Sequence, residues 1–411
     1  MQPRPFQAEA IDAADLHLCT KDTNPCIVLP TGAGKSPVIA WLIQRFKQQY
    51  PPFRCCVLAH VKELVQQNAE KMLQVWPDAP VGLYAAGLRK KQTRQPITFA
   101  SIDSINSKAK DIDANHLNIV DEAHRIPLRG EGKYRRFIAD ATRANPKVRV
   151  LGMTATAYRL GSGDICHRDH ILNEVCYEAN VKDLIDAGYL CPLRSKTAVN
   201  TADLAGVKTR GGEFITSSLH NAVDPVVPEA VKESVQIINA ENRQGVIYFC
   251  VDVNHCNHVS RELRRYGIDA PAVTGNTPRA ERDRISQRFI DGHLRAICNV
   301  NVYTEGFDAT RVDAVALMRP TQSMGLFYQM VGRGLRLDDR KQDCLILDFA
   351  GNIDRHGPID RLASEGVKLV TCEGCRETFS KALTHCPECG LEVPKVEIPA
   401  GDGDQSATPV R

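Results

Sequence analysis

Four groups of residues in this sequence have the types and spacing to do chemistry. The densest is Thr31-Gly-Ala-Gly-Lys-Ser36. Gly32 and Gly34 let the backbone curl so that its N–H groups point inward at phosphate oxygens, with Thr31 and Ala33 completing the cradle. A helix beginning here adds partial positive charge at the same point. Lys35 is placed to reach the β and γ phosphates, and the Ser36 hydroxyl to ligate Mg²⁺. The strict form of such a loop opens on Gly where this chain has Leu29. A bland turn gives no reason for Lys-Ser just ahead of a helix, so the loop is read as an ATP site.

The second group is Asp121-Glu122, directly after the apolar run Leu117-Asn-Ile-Val120. Asp121 is positioned to hold Mg²⁺, and Glu122 to orient and deprotonate an attacking water. Alone, such a pair is solvated surface; behind a phosphate loop it becomes catalytic. The third group is Gln329, Arg333 and Arg336, at helical spacing i, i+4, i+7 after Ser323. Gly332 and Gly334 cost roughly 1 kcal/mol each in a helix, a choice that makes sense if another backbone must come close to the arginines. The fourth is Cys372-x₂-Cys375-x₁₀-Cys386-x₂-Cys389, two knuckles that put four thiolates within tetrahedral reach of one Zn²⁺.

These groups need elements to hold them. Apolar runs at 26–29, 55–59, 97–100, 117–120 and 148–153 read as strands alternating with helical segments, among them 36–50 and 60–76. Such alternation implies a parallel sheet with helices on both faces, and ligands then bind at the carboxyl ends of the strands. A second alternating unit follows at 246–250, 296–300, 314–318 and 344–349, without a phosphate loop of its own. Residues 176–242 are read as the join, with 206–212 as a mobile loop and Ala350–Pro358 as a break in regular structure. Within the second unit Arg279, Arg282, Arg284 and Arg288 load one helix with charge, which Glu281 and Asp283 would balance on a solvated face. Thr274 and Gly275 just upstream favour contact with a phosphate backbone, because Gly permits close approach.

The order Thr-Gly-Ala-Gly-Lys-Ser, Asp121-Glu-Ala-His124, Thr154-Ala-Thr156 resembles the DEAD/DEAH-type helicases of superfamily 2. Ala59-His-Val-Lys-Glu-Leu64, Ala85-Ala-Gly-Leu88 and Leu151-Gly-Met-Thr-Ala-Thr156 narrow that likeness to the bacterial RadD DNA-repair family. The resemblance implies an adenine-reading segment at Arg4 and Gln7, and nucleotide contacts at Gly306 and Asp308. It implies arginine fingers at Arg333 and Arg336, with Gln329 beside them. It also implies nucleic-acid contacts at His60, Lys62, the Gly87 region and Thr304. Lys62 stands where Arg is common in the wider family, which keeps the charge and loses the bidentate fork.

The expected architecture is α/β: two tandem RecA-like parallel-sheet domains (1–190 and 191–365), a zinc ribbon (366–393) and a disordered tail (394–411). The expected activity is ATP-driven movement on DNA, single-stranded or branched, in repair or recombination. An RNA helicase, a restriction-type translocase subunit and a non-hydrolysing nucleic-acid scaffold are the alternatives. Net charge is only +3, from 52 basic and 49 acidic residues, so nucleic-acid affinity must come from local surfaces. No apolar run approaches the ~18 residues a membrane span needs, and Met1-Gln-Pro-Arg4 lacks a signal-peptide core. Most of the 15 cysteines sit singly in apolar runs. They are expected to be reduced and buried, as in the cytoplasm.

Overall fold

The computed structural model describes residues 2–112, 114–156, 158–159, 163–304, 306–357, 359, 369–380, 385–386 and 388–392. The expected tail at 394–411 lies outside them. In chain order the first unit contains α1 (Pro5–Thr20), β1 (Pro25–Val28), α2 (Lys35–Gln49), β2 (Cys55–Ala59) and α3 (Lys62–Val75). It continues through β3 (Val81–Ala85), β4 (Lys90–Lys91), β5 (Ile97–Ser101), α4 (Ile102–Ile105), β6 (Leu117–Asp121), α5 (Lys133–Ala144) and β7 (Arg149–Thr154). A short hairpin, β8 (Tyr158–Arg159) with β9 (Gly163–Asp164), precedes β10 (Glu174–Glu178) and α6 (Val181–Asp186).

These strands form an eight-stranded sheet in the order β10-β1-β7-β6-β2-β5-β3-β4, parallel except at β4. Its inner strands are buried on both faces, which is why they read as unbroken apolar runs. Alternation sorts the side chains. Ile27, Val57 and Ile119 meet α1, α2 and α3 on one face, while Cys26, Cys56 and Val120 meet α4 and α5 on the other. β10 corrects the expected join: residues 174–178 pair with β1 and belong to the first sheet. Its residues are only half-buried, so the apolar signal that marked the other strands is weak there.

The second unit starts at β11 (Leu193–Thr197). It runs through the hairpin β12 (Thr209–Arg210) and β13 (Glu213–Phe214), then α7 (Thr216–Val223), α8 (Val227–Ala240), β14 (Val246–Phe249) and α9 (Val253–Arg265). Next come β15 (Ala272–Val273), α10 (Arg279–Ile290), β16 (Ala296–Asn299), β17 (Ala314–Leu317), α11 (Met324–Val331), β18 (Cys344–Asp348) and α12 (Asn352–His356). Its six-stranded sheet, β11-β18-β17-β14-β16-β15, is wholly parallel. Both sheets are RecA-like in arrangement, and the apolar core on one face runs through Leu190, Cys191 and Leu335 from one unit to the other.

Three local expectations are corrected. The segment 206–212 leads into a hairpin whose turn, Gly211-Gly212, has φ of 62° and 80° at successive residues, a backbone open to glycine pairs. The stretch after β18 is not irregular: Asp348 accepts N–H bonds from Ala350 (3.0 Å) and Ile353 (2.7 Å), starting α12. The helix after Ser323 stops at Val331 instead of running to Arg336, because Gly332 and Gly334 favour the turn that follows. Gln329 therefore lies in α11, whereas Arg333 and Arg336 lie beyond its end and share no helical face with it.

A final pair, β19 (Leu369–Thr371) and β20 (Thr378–Ser380), carries the four-cysteine group and docks on the β11 edge. Arg376 donates to the carbonyls of Thr197 and Ala198, its own carbonyl accepts from Thr197 N–H, and Glu388 pairs with Arg194. The appendage covers part of the sheet edge at β11.

Candidate active site

The carboxyl ends of β1 and β6 converge on one cleft of about 620 Å³, walled by both units. From the first unit come Arg4, Thr31, Gly32, Gly34, Lys35, Ser36, Asp121 and Glu122; from the second come Gly306, Asp308, Arg333 and Arg336. The phosphate loop takes its shape from Gly32 (φ 88°) and Gly34 (φ 87°), after which α2 starts at Lys35. Gln7 braces the loop. Its amide donates to Ala33 O at 2.9 Å, and its oxygen accepts the Arg4 N–H at 2.9 Å. A Cβ at Gly34 would lie 2.6 Å from that amide, so only glycine lets Gln7 sit there.

Lys35 Nζ lies 3.3 Å from Leu29 O and 3.9 Å from Glu122. Asp121 is buried, and its carboxylate accepts from Asn68 Nδ2 at 2.8 Å. Burial first, then the neighbouring Glu122, push its pKa up to about 6, against the Asn68 bond and Lys35. Asp121 and Ser36 line the same cleft as the glycine-rich loop, and a cation there would offset the desolvation that raises the carboxylate's pKa. Asp121 and Ser36 would hold Mg²⁺, which would neutralise phosphate charge there. Glu122 adopts φ 54°, a left-handed conformation uncommon outside glycine, which turns it back over the loop. Its carboxylate lies 3.3 Å from His124, and His124 bonds Thr154 Oγ1 at 3.1 Å. Thr154 Oγ1 in turn donates to Thr156 O at 3.0 Å, so a polar chain joins Glu122 to the end of β7.

The second unit supplies the opposite wall. Arg333 is buried and donates to Phe307 O at 2.9 Å; Arg336 donates to the same carbonyl and pairs with Asp308. Contact with the phosphate loop is direct. A Cβ at Gly32 would lie 3.4 Å from Arg336 Cγ, and one at Gly332 would lie 2.6 Å from Thr31 Cβ. Gly332 thus gives the close approach expected of it. Gly334 does not: it packs against Cys344 within its own unit.

Three contributors escaped the sequence reading. Asn68 orients Asp121. Gln67 donates to Gly306 O across the cleft. Tyr189 lies against Phe6, ring centroids 5.2 Å apart and planes tilted by 49°, and carries the Arg4 guanidinium over its ring at 5.2 Å, an aromatic and cationic wall suited to a base. The i, i+1 polar pair Gln67-Asn68 inside an amphipathic helix was the available signal for the first two.

The expected nucleic-acid residues follow the carboxyl ends of their strands. His60 and Lys62 follow β2, Gly87 follows β3, Thr274 and Gly275 follow β15, and Thr304 follows β16. Gly87 and Gly275 are exposed. The Lys62 stem lies over Gly87, where a Cβ would meet Lys62 Cδ at 2.6 Å. Thr274 and Thr304 are buried, and the Thr274 hydroxyl accepts from Asn276 N–H, closing a turn. Away from the cleft, the four Sγ atoms of Cys372, Cys375, Cys386 and Cys389 lie within 4.8 Å of one another, two pairs at 3.5 Å. A tetrahedron with Zn–S near ~2.3 Å has S···S edges of about 3.8 Å, so the set fits one ion.

Residues 1–159 match the family described as the res subunit of type III restriction enzymes, and residues 229–338 match the helicase conserved C-terminal domain. IRC3 of Saccharomyces cerevisiae, which bears the name of an ATP-dependent helicase, is 28% identical over 359 residues, 85% of this chain and 51% of its own length. The DNA 3′-5′ translocase XPB2 of Sulfurisphaera tokodaii is 25% identical over 391 residues, 85% of this chain and 82% of its own. An HsdR-type subunit fragment of a type I restriction enzyme from Vibrio vulnificus shares the fold. Its TM-score is 0.66 at 22% identity, over 87% of this chain and 66% of that one. The chain spans about half the length of the yeast relative. The two matches, in this order, and the sheet order liken the two units of this chain to the tandem helicase domains of superfamily 2.

Proposed function

We propose that the chain hydrolyses ATP in this cleft and uses the cycle to move along DNA, as a translocase or helicase. The observation that carries this reading is the two-sided cleft, with Lys35, Asp121 and Glu122 on one wall and Arg333 and Arg336 on the other. Glu122 takes the proton of the attacking water, and the guanidinium groups stabilise charge developing on the γ-phosphate oxygens. Gln7, Arg4 and Tyr189 form the wall for the adenine. Hydrolysis separates Thr31 from Gly332, and the two sheets then move relative to each other along a backbone lying over Lys62, Gly87 and Gly275.

DNA is favoured over RNA by the relative named as a DNA translocase and by the RadD-like motif wording at 59–64, 85–88 and 151–156. That wording also supports a role in repair or recombination on single-stranded or branched DNA. We assign a structural Zn²⁺ to the four-cysteine group and place the protein in the cytoplasm, in keeping with its 15 unpaired thiols. The test is ATP turnover with single-stranded DNA, duplex DNA and RNA, run beside strand displacement. Stimulation by DNA is expected. Turnover indifferent to every nucleic acid would overturn the reading.

A further inference from the structure

The hairpin β12–β13 stands apart from both sheets and has no part in the cleft. Its outer portion, Lys208 to Gly212, is exposed and carries two cations, Lys208 and Arg210. Its inner end is fixed. Phe214 belongs to a small apolar cluster with Leu219, Val223 and Val251, and Val251 lies two residues past the end of β14. The hairpin therefore sits at the carboxyl edge of the second sheet, the same edge that presents Gly275 and the residues after β16.

What distinguishes the hairpin is Glu213. Its carboxylate accepts from the Thr321 hydroxyl at 2.6 Å, from Gln322 N–H at 3.0 Å and from Ser323 N–H at 3.3 Å. Ser323 is the N-cap of α11, its hydroxyl accepting from Leu326 N–H at 3.2 Å. Arg355 closes the joint from the other side: its guanidinium lies 5.6 Å from the centroid of the Phe214 ring and donates to Thr321 O at 3.3 Å. One residue of the hairpin thus holds three groups at the start of the helix that leads, within a dozen residues, to Gln329, Arg333 and Arg336. A carboxylate receiving several N–H and O–H bonds is a rigid link, since charge-assisted bonds are about twice as strong as neutral ones.

We propose that this hairpin senses nucleic acid: Lys208 and Arg210 engage the phosphate backbone, and Glu213 passes the hairpin's position to α11 and so to the arginines of the cleft. Lys208 and Arg210 bind; Glu213 is a positioning residue. The inference rests on the proposed motor function, so the experiment has to separate the two.

Full-length protein would be measured with a single-stranded oligodeoxythymidine for binding as a function of salt and for stimulated ATP turnover. Each phosphate contact on a single strand contributes about 0.7 to the slope of log K against log salt. Lys208→Ala with Arg210→Ala should flatten that slope by about 1.4 and weaken binding roughly 25-fold at 0.1 M salt. Glu213→Ala should keep the wild-type slope and affinity while lowering stimulated kcat by roughly fivefold, as for side chains that couple two sites. Glu213→Gln, which retains one accepting oxygen, should fall between. An unchanged slope in the double variant overturns the backbone contact. Wild-type kcat in Glu213→Ala, or losses in binding and kcat of equal size, overturn the relay. If Glu213→Ala fails to fold, Glu213→Gln decides by the same split. Absence of any stimulation in the wild-type protein would instead bring down the motor reading itself.

Discussion

Replacing Gly332 by Ala would add one methyl group where the two sheet domains touch. The new Cβ would lie 2.6 Å from Thr31 Cβ, 2.7 Å from Tyr328 O of its own domain and 2.9 Å from Thr31 Cγ2. Carbon atoms settle at about 3.5–4.0 Å. Thr31 Cβ and Tyr328 O are both fixed to backbone, so no rotamer change removes the clashes: the first forces the domains apart by about 1 Å, and the second shifts the end of α11 within its own domain. Misplacement on that scale costs ~10²-fold in rate when catalytic groups must be aligned. Affinity for ATP should change much less, because Gln7, Lys35 and Ser36 all lie on the first domain. Gly334→Ala is the control. Its Cβ meets Cys344 Sγ inside the second domain, and overpacking there costs ~1–3 kcal/mol of stability. Single-turnover ATP hydrolysis, nucleotide binding and thermal melting would be followed for both. A near-wild-type single-turnover rate in Gly332→Ala, or a loss no larger than its melting shift explains, would refute the contact.

Glu122→Gln should bind ATP but hydrolyse it ~10²–10⁴-fold more slowly, the usual worth of a general base; failure to bind ATP would reassign Glu122 to positioning. Cys386→Ser with Cys389→Ser should abolish zinc, read by elemental analysis. Because Arg376 and Glu388 tie the ribbon to β11, the same variant should also lower the melting temperature of the second domain. Full metal content would exclude the two thiols as ligands. Burial raises the pKa of Asp348 to about 6, against its two backbone N–H donors. Its folded state thus binds a proton more readily than the unfolded chain, and stability falls as pH rises from about 4 to 6, by roughly 3 kcal/mol at most. In Asp348→Asn that part of the pH dependence should vanish from denaturant titrations.

The two sheets and the cleft were legible because parallel strands buried on both faces leave long apolar runs, and the candidate ligand groups follow those runs directly. Cys55–Ala59 and Leu117–Asp121 are of this kind. Half-buried β10 leaves no such run, and its membership of the first sheet depends on pairing with β1, which is 149 residues earlier at Pro25↔Glu174. Spacing alone suggested one helical face for Gln329, Arg333 and Arg336. The glycines between them end the helix, and tertiary contact with Thr31 places the arginines instead. Gln67, Asn68 and Tyr189 gain their roles only from neighbours distant in sequence. Glu213 was hidden for the same reason, 108 residues from its Thr321 partner.

The central claim is that catalysis is shared across the cleft, and Arg333 tests it most directly. Arg333 is buried at the wall facing the phosphate loop. Single-turnover ATP hydrolysis would be measured for Arg333→Ala with DNA saturating. Arginine fingers are worth ~10³–10⁵ in rate. A loss of that order is predicted, with ATP affinity kept within a few fold, because the contact strengthens in the transition state. Arg333→Lys should not restore the rate, since a point charge does not reproduce the planar fork. A near-wild-type rate in Arg333→Ala would mean that the first domain completes the reaction alone, and would contradict the account.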